Sequence, residues 1–210
     1  MRDVLLVTAA TGARELAALR KLHPSRQIIS IPAEMAFGTG DHATTATCLR
    51  LLADVARKRA GSCWTAADLG AGTGLLAIAA RALGAESVFA CDFDPLAVTV
   101  AGDNLRRNRV DGVTLRRQDV LKWRTPAKGY DVVLANLFST VLIEAWPVIA
   151  RALAPGGDLI VSGILASQAW EVFTEAAGSG LGFTKVVRKG KWVTARGGHM
   201  HDLLGGQNPV

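Results

Sequence analysis

The chain has 210 residues, 50% of them hydrophobic and 20% charged, which suffices for one α/β domain with a buried core and excludes a repeat array, a fibrous chain or a large two-domain enzyme. Lys and Arg outnumber Asp and Glu by 24 to 18, a formal charge of +6, but the basic residues are dispersed and only 6% of positions are aromatic, so RNA contact is not favoured. Cys48, Cys63 and Cys91 have no CxxC spacing and suit reduced thiols, and neither a signal h-region nor an apolar run of about 18 residues is present, so a cytoplasmic protein without a membrane anchor is expected.

In chain order, residues 1–30 read as a short extension, a strand followed by a short helix with Leu16, Leu19 and Leu22 on one face. A loop over Phe37 to Thr45 then leads into an amphipathic helix. The first strand of the main sheet spans Trp64 to Leu69 and meets Gly70-Ala71-Gly72-Thr73-Gly74, after which a buried helix runs to Gly84. Strand Val88 to Cys91 follows, then a helix from Pro95 to about Asn108 with Asp94 as its cap, then strand Val113 to Arg117. Tyr130 to Asn136 reads as a strand buried on both faces, and a helix from about Thr140 to Leu153 stops at Pro155-Gly156-Gly157.

Strand Leu159 to Ser162, helix Gln168 to Ala177 and a hairpin of Phe183–Arg188 with Lys191–Arg196 complete the pattern. The alternation predicts an α/β fold with a Rossmann-like, mostly parallel sheet of seven strands and helices on both faces, and the hairpin requires one antiparallel strand at the C-terminal end. Residues 31–197 form the expected domain, and 198–210 read as a flexible tail. His199 and His201 in that tail have no third ligand nearby in sequence, so no metal site is assigned.

The glycine loop lies between a strand and a helix, where positive φ lets a ligand approach the backbone closely. The dinucleotide pattern G-x-G-x-x-G fails at its sixth position, which is Leu75, so pyrophosphate binding is disfavoured. Asp68 ahead of the loop suits a cofactor bearing an ammonium and a sulfonium, as S-adenosylmethionine does. Asp92 ends the second strand of the main sheet, at a spacing suited to ribose hydroxyls, and Asp119 after the third is placed to accept from an adenine amino group. Each carboxylate taken singly could equally be a helix cap, and the three together favour the cofactor. In the upstream loop Asp41 or Thr44 would serve as a helix cap and His42 as a surface residue, which on local chemistry is the simpler reading.

The segments Phe37-Gly38-Thr39-Gly40-Asp41-His42-Ala43-Thr44-Thr45, Asp68 to Gly74, Asp92-Phe93-Asp94-Pro95, Ala135-Asn136-Leu137, Pro155-Gly156-Gly157 and Ser162-Gly163-Ile164-Leu165 together resemble the PrmA family, the methyltransferases of large-subunit ribosomal protein eleven. The glycine loop alone resembles class I methyltransferases in general. The FGTGxHxTT segment and the Ala-Asn-Leu strand end are similar to PrmA in particular, and the likeness covers roughly Ile31 to Arg196. The resemblance implies a seven-stranded methyltransferase sheet, S-adenosylmethionine as cofactor, and N-methylation of an amine, on a lysine or an N-terminus, of a protein such as a ribosomal protein. It implies that Phe37, Thr39, Thr44 and Thr45 fold over the cofactor, and that Asp68, Gly70, Gly72, Gly74, Asp92, Phe93, Asp119 and Val120 bind it. Asn136 is implied beside the methyl-transfer site, with cofactor and catalytic roles, and His42 as a second catalytic residue. About thirty residues precede Ile31, where the family carries a recognition domain and linker. RNA or a small molecule as acceptor, and a non-catalytic binding module, are the alternatives.

Overall fold

The computed structural model describes residues 5–9, 12–32 and 42–204. Strands β1 (Leu5–Thr8) and β2 (Gln27–Ser30) pair in parallel around helix α1 (Ala13–Leu22). Helix α2 (Ala43–Lys58) leads to β3 (Thr65–Leu69), α3 (Leu75–Ala82), β4 (Ser87–Asp92), α4 (Pro95–Asn108) and β5 (Val113–Arg117). A single 3-10 turn (Val120–Lys122) precedes β6 (Tyr130–Asn136), α5 (Ser139–Ala152), β7 (Leu153–Leu165), α6 (Ala169–Gly178), β8 (Leu181–Lys189), β9 (Trp192–His199) and α7 (Met200–Leu204).

Among the described residues the main sheet has seven strands in the order β5-β4-β3-β6-β7-β9-β8. Strands β3 to β7 are parallel, and β9 inserts antiparallel between β7 and β8, which makes β8 parallel to the rest. This is the expected sheet, with its one reversed strand in the hairpin. The order reverses at β3, whose next strand in sequence, β4, lies on one side and whose other neighbour is β6, so the crevice at the carboxyl ends of β3, β4 and β6 is where an open α/β sheet binds a ligand.

Two apolar layers flank the sheet. Helices α2 and α3 pack Leu51, Leu52, Val55, Leu75 and Ile78 on one face, and Leu105 of α4 adjoins them. On the other face α5 and α6 bury Leu142, Trp146, Ile149 and Val172. At about 25 cal/mol per Å² of apolar surface, each such aliphatic side chain contributes roughly 1.5–3 kcal/mol.

Several boundaries differ from the sequence expectation. The extension is not set apart at residue 31, because Ile29 and Ile31 enter the core, and Asn108 Oδ1 accepts from Ser30 N–H (2.8 Å) while its Nδ2 donates to Ser30 O (2.8 Å). Strand β7 begins directly at Leu153, six residues before the expected Leu159. It runs through Pro155-Gly156-Gly157, where a left-handed Gly156 (φ 68°) and a register shift against β6 absorb the turn signals. Within the expected tail, β9 extends to His199 and α7 follows, with His199 Nε2 against Leu153 O at 3.1 Å and Asp202 Oδ2 accepting from Gly156 N–H at 2.7 Å. Residues 205–210 of that tail lie outside the described residues.

Candidate active site

The glycine loop hangs on the end of β4. Gly70 and Ala71 both donate their N–H to Cys91 O at 2.9 Å, and the next residue, Asp92, accepts from Gly72 N–H with Oδ2 (2.9 Å) and from Asp94 N–H with Oδ1 (3.0 Å). Gly70 has φ 76°, a left-handed conformation, and a Cβ there would run into the Leu137 side chain, so both backbone and space require glycine. Gly74, also left-handed at φ 76°, sits under α4, where a Cβ would come within 3.1 Å of Ala101 Cβ. Its role is close helix packing.

Above the loop opens a cleft of about 580 Å³. One half has Gly70, Gly72, Asp92, Phe93, Asp119 and Val120 on its wall, extended by Leu96 and Leu121. Phe93 is 73% exposed, so the wall presents an open aromatic surface. Asp119 caps the 3-10 turn by accepting from Leu121 N–H (3.0 Å) and still faces the cleft. Among the described residues no Lys or Arg lines this space. Three aspartates, Asp92, Asp94 and Asp119, without a cation make a phosphate a poor occupant and suit hydroxyl, amino and cationic groups.

The other half is built by α2, β6 and β9. Thr44 and Thr45, in the first turn of α2, are buried and face inward. Asn136, at the end of β6, donates from Nδ2 to Thr45 Oγ1 at 3.5 Å, which leaves its carbonyl oxygen free to accept. His42 caps α2; its Nδ1 lies 2.7 Å from Thr44 Oγ1, and its ring meets Trp192 edge-on with centroids 5.1 Å apart. Two bonds thus orient the amide and the imidazole, and Phe138 closes the rim.

Of the residues expected from sequence, His42, Thr44, Thr45, Gly70, Gly72, Asp92, Phe93, Asp119, Val120 and Asn136 meet at this one cleft. Phe37 and Thr39 lie outside the described residues. Asp68 and Gly74 are placed behind the wall. Asp68 is 1% exposed and turned back toward α3, where Oδ2 accepts from Ala77 N–H at 2.9 Å while Oδ1 has no partner. Burial pushes its carboxyl up from the ordinary 3.8 to about 7; the Ala77 N–H opposes this, and the nearby Asp92 charge adds to it. Burial likewise pushes the thiols of Cys48 and Cys91 up to about 12, so both stay protonated.

Trp192 is the cleft residue for which sequence carried the least signal. Of the other tryptophans, Trp146 is buried in the core, Trp123 stacks on Phe89, Trp64 is buried and Trp170 is exposed. Only the strand order, which brings β9 beside β7, carries Trp192 to His42.

The family model of ribosomal protein L11 methyltransferase (PrmA) matches residues 14–199. The ribosomal protein L11 methyltransferase of Agrobacterium fabrum is 41% identical over 180 residues, and that of Rhizobium meliloti 42% identical over 177, each alignment covering 83% of this chain. The chain spans 60% of the length of these curated relatives. Among solved structures, the ribosomal protein L11 methylase of Lactobacillus delbrueckii subsp. bulgaricus superposes with a TM-score of 0.72 at 30% identity, covering 84% of this chain and 88% of that one. The N-methyltransferase NodS of Bradyrhizobium japonicum, solved with S-adenosyl-L-homocysteine, shares the fold at a TM-score of 0.59 and 19% identity, covering 76% of this chain and 89% of that one. On the extent of the family match and the identity of these relatives, the chain belongs to the ribosomal protein L11 methyltransferase (PrmA) family.

Proposed function

We propose that this protein is an S-adenosylmethionine-dependent methyltransferase that N-methylates an amine, on a lysine or an N-terminus, of ribosomal protein L11. The observation that carries the reading is a single cleft with two unlike ends, one carboxylate-lined and apolar, the other presenting Asn136 between Thr45, His42 and Trp192. The residues fit the cofactor. Asp92 and Asp119 offer acceptor lone pairs to hydroxyl and amino groups, Phe93, Leu96 and Val120 offer apolar walls to a purine, and the glycine loop lets its methionine portion approach the backbone. Asp68 acts from behind, by fixing the start of α3 through Ala77.

When bound, the cofactor would supply a methyl group activated on a sulfonium, whose transfer to an amine nitrogen forms the N–C bond, breaks the C–S bond and leaves a neutral thioether. The chain's task is alignment and exclusion of water. Asn136 Oδ1 accepts an N–H of the neutral amine and so directs its lone pair toward the cofactor half. His42, held by Thr44 and edge-on to Trp192, keeps Nε2 available for the proton that the product amine loses. No nucleophilic side chain is needed, in keeping with protonated Cys48 and Cys91 thiols.

A cytoplasmic location is part of the proposal, supported by the free thiols of Cys48, Cys63 and Cys91. Among the described residues no helix is long and apolar enough to cross a membrane. Transfer of labelled methyl from the cofactor into a cell lysate, followed by protease or nuclease, tests the acceptor class. Label lost with protease and resistant to nuclease is expected; the reverse pattern would assign RNA as acceptor.

A further inference from the structure

The α5–α6 side of the cleft mouth carries features that cofactor binding and methyl transfer do not use. Trp170, in the first turn of α6, is 84% exposed, and Phe138, which precedes α5 as its cap, is 62% exposed. Both helices start at the cleft end of the sheet and pack side by side over one apolar layer. Ala166 N–H donates to Lys191 O (2.8 Å), which ties the turn before α6 to the hairpin beside Trp192. Trp170 therefore lies at the same end of the sheet as Phe138 and Trp192.

Charge on this side opposes that of the chain. Against a formal +6, residues 137–180 contain Arg151 as their sole cation, together with Glu144, Asp158, Glu171 and Glu175. Arg151 lies in the last turn of α5, far from the cleft, and Asp158 is held by Arg59 and Arg196 at the opposite end of the sheet. Glu144, Glu171 and Glu175 are exposed on α5 and α6. The basic tip of the hairpin, Arg188, Lys189 and Lys191, borders the surface on its other side and directs a cationic chain toward the carboxylates.

We propose that the exposed surface of α5 and α6, with Phe138 and Trp170 at its cleft end and Glu144, Glu171 and Glu175 along it, is the docking surface for a lysine-rich segment of the polypeptide substrate. The proposal rests on the methyltransferase reading, in which the cleft takes an amine of that segment. An indole and a phenyl face attract ammonium groups and aliphatic lysine stems together, tryptophan is among the residues that dominate interfaces, and three exposed carboxylates repel a nucleic-acid backbone.

The test uses the whole chain and two surface variants, Trp170→Ala and the double variant Glu144→Lys with Glu175→Lys. A fluorescein-labelled peptide of alternating lysine and alanine serves as probe, with alternating glutamate and alanine as control, both read by anisotropy. The parent binds the lysine peptide and not the control, and each variant weakens binding by about 10-fold or more, with unchanged affinity for S-adenosylhomocysteine. Equal binding by parent and variants, no binding by the parent, or preference for the glutamate peptide or for RNA would overturn the proposal. Methyl transfer to purified ribosomal protein L11 is measured in parallel, with KM expected to rise about 10-fold in the variants at constant kcat. Absence of transfer by the parent would refute the proposed function, while the anisotropy arm still decides the docking surface.

Discussion

Replacing the buried aspartate beneath the glycine loop, Asp68→Asn, tests the electrostatics of that site. The carboxyl is fully buried, one oxygen accepts from Ala77 N–H, the other has no partner, and its pKa rises from 3.8 to about 7. Because the folded state holds this proton more tightly than the unfolded chain, the group's contribution to stability is fully present below pH 3.8 and is lost as pH rises through about 7. A shift of that size corresponds to about 4 kcal/mol, of which roughly 3 is lost between pH 5 and 8. The Asp68→Asn side chain would keep the bond from Ala77 and carry no charge, at a cost of about 1–3 kcal/mol for an unpaired buried amide group at every pH. Urea denaturation of the free protein followed by tryptophan fluorescence should therefore show the parent losing about 3 kcal/mol relative to the variant from pH 5 to 8, leaving the variant level with or above the parent at the alkaline end. Parallel stability curves for the two proteins would contradict a carboxyl raised by burial at Asp68.

Asp92→Ala removes an acceptor from the cleft and both bonds that hold Gly72 and Asp94; calorimetry should show S-adenosylhomocysteine affinity reduced at least about 10-fold, with stability lower by about 1–3 kcal/mol. Gly70→Ala forces a left-handed alanine into the Leu137 side chain, and a loss of about 1–3 kcal/mol is expected by thermal or chemical denaturation. Asn136→Ala should retain cofactor affinity while kcat falls about 10- to 1000-fold, and equal loss of both would make the residue structural.

Much of the sheet is legible because its signals are local. Asp94-Pro95 sets the start of α4, and the apolar run Tyr130 to Asn136 is β6 from end to end. What local signals miss is set by distant partners. Among the described residues β2 pairs only with β1, and its four residues gain their place from Ile29 in the core and from Ser30 bonded to Asn108, 78 positions away. The Pro155-Gly156-Gly157 triplet reads as a stop, yet the pairing of β6 with β7 carries the strand through it.

The candidate site divides the same way. Asp92, Asp119 and Asn136 lie at or just past strand ends, so the strand pattern alone brings them to one crevice. Asp68 is also near a strand end, but whether it faces the cleft or α3 depends on pleat and helix position, and the bond to Ala77 N–H settles it. Trp192 enters the site only through the strand order, beside a histidine that lies far earlier in the chain.

In the proposed function this cleft transfers methyl groups to a protein amine. Purified chain, S-adenosylmethionine and ribosomal protein L11, followed by peptide mass spectrometry, tests it most directly. Added methyl groups on lysine or N-terminal amines of L11 are expected, lost with Asn136→Ala. Cofactor binding without any methylated L11 peptide would contradict it.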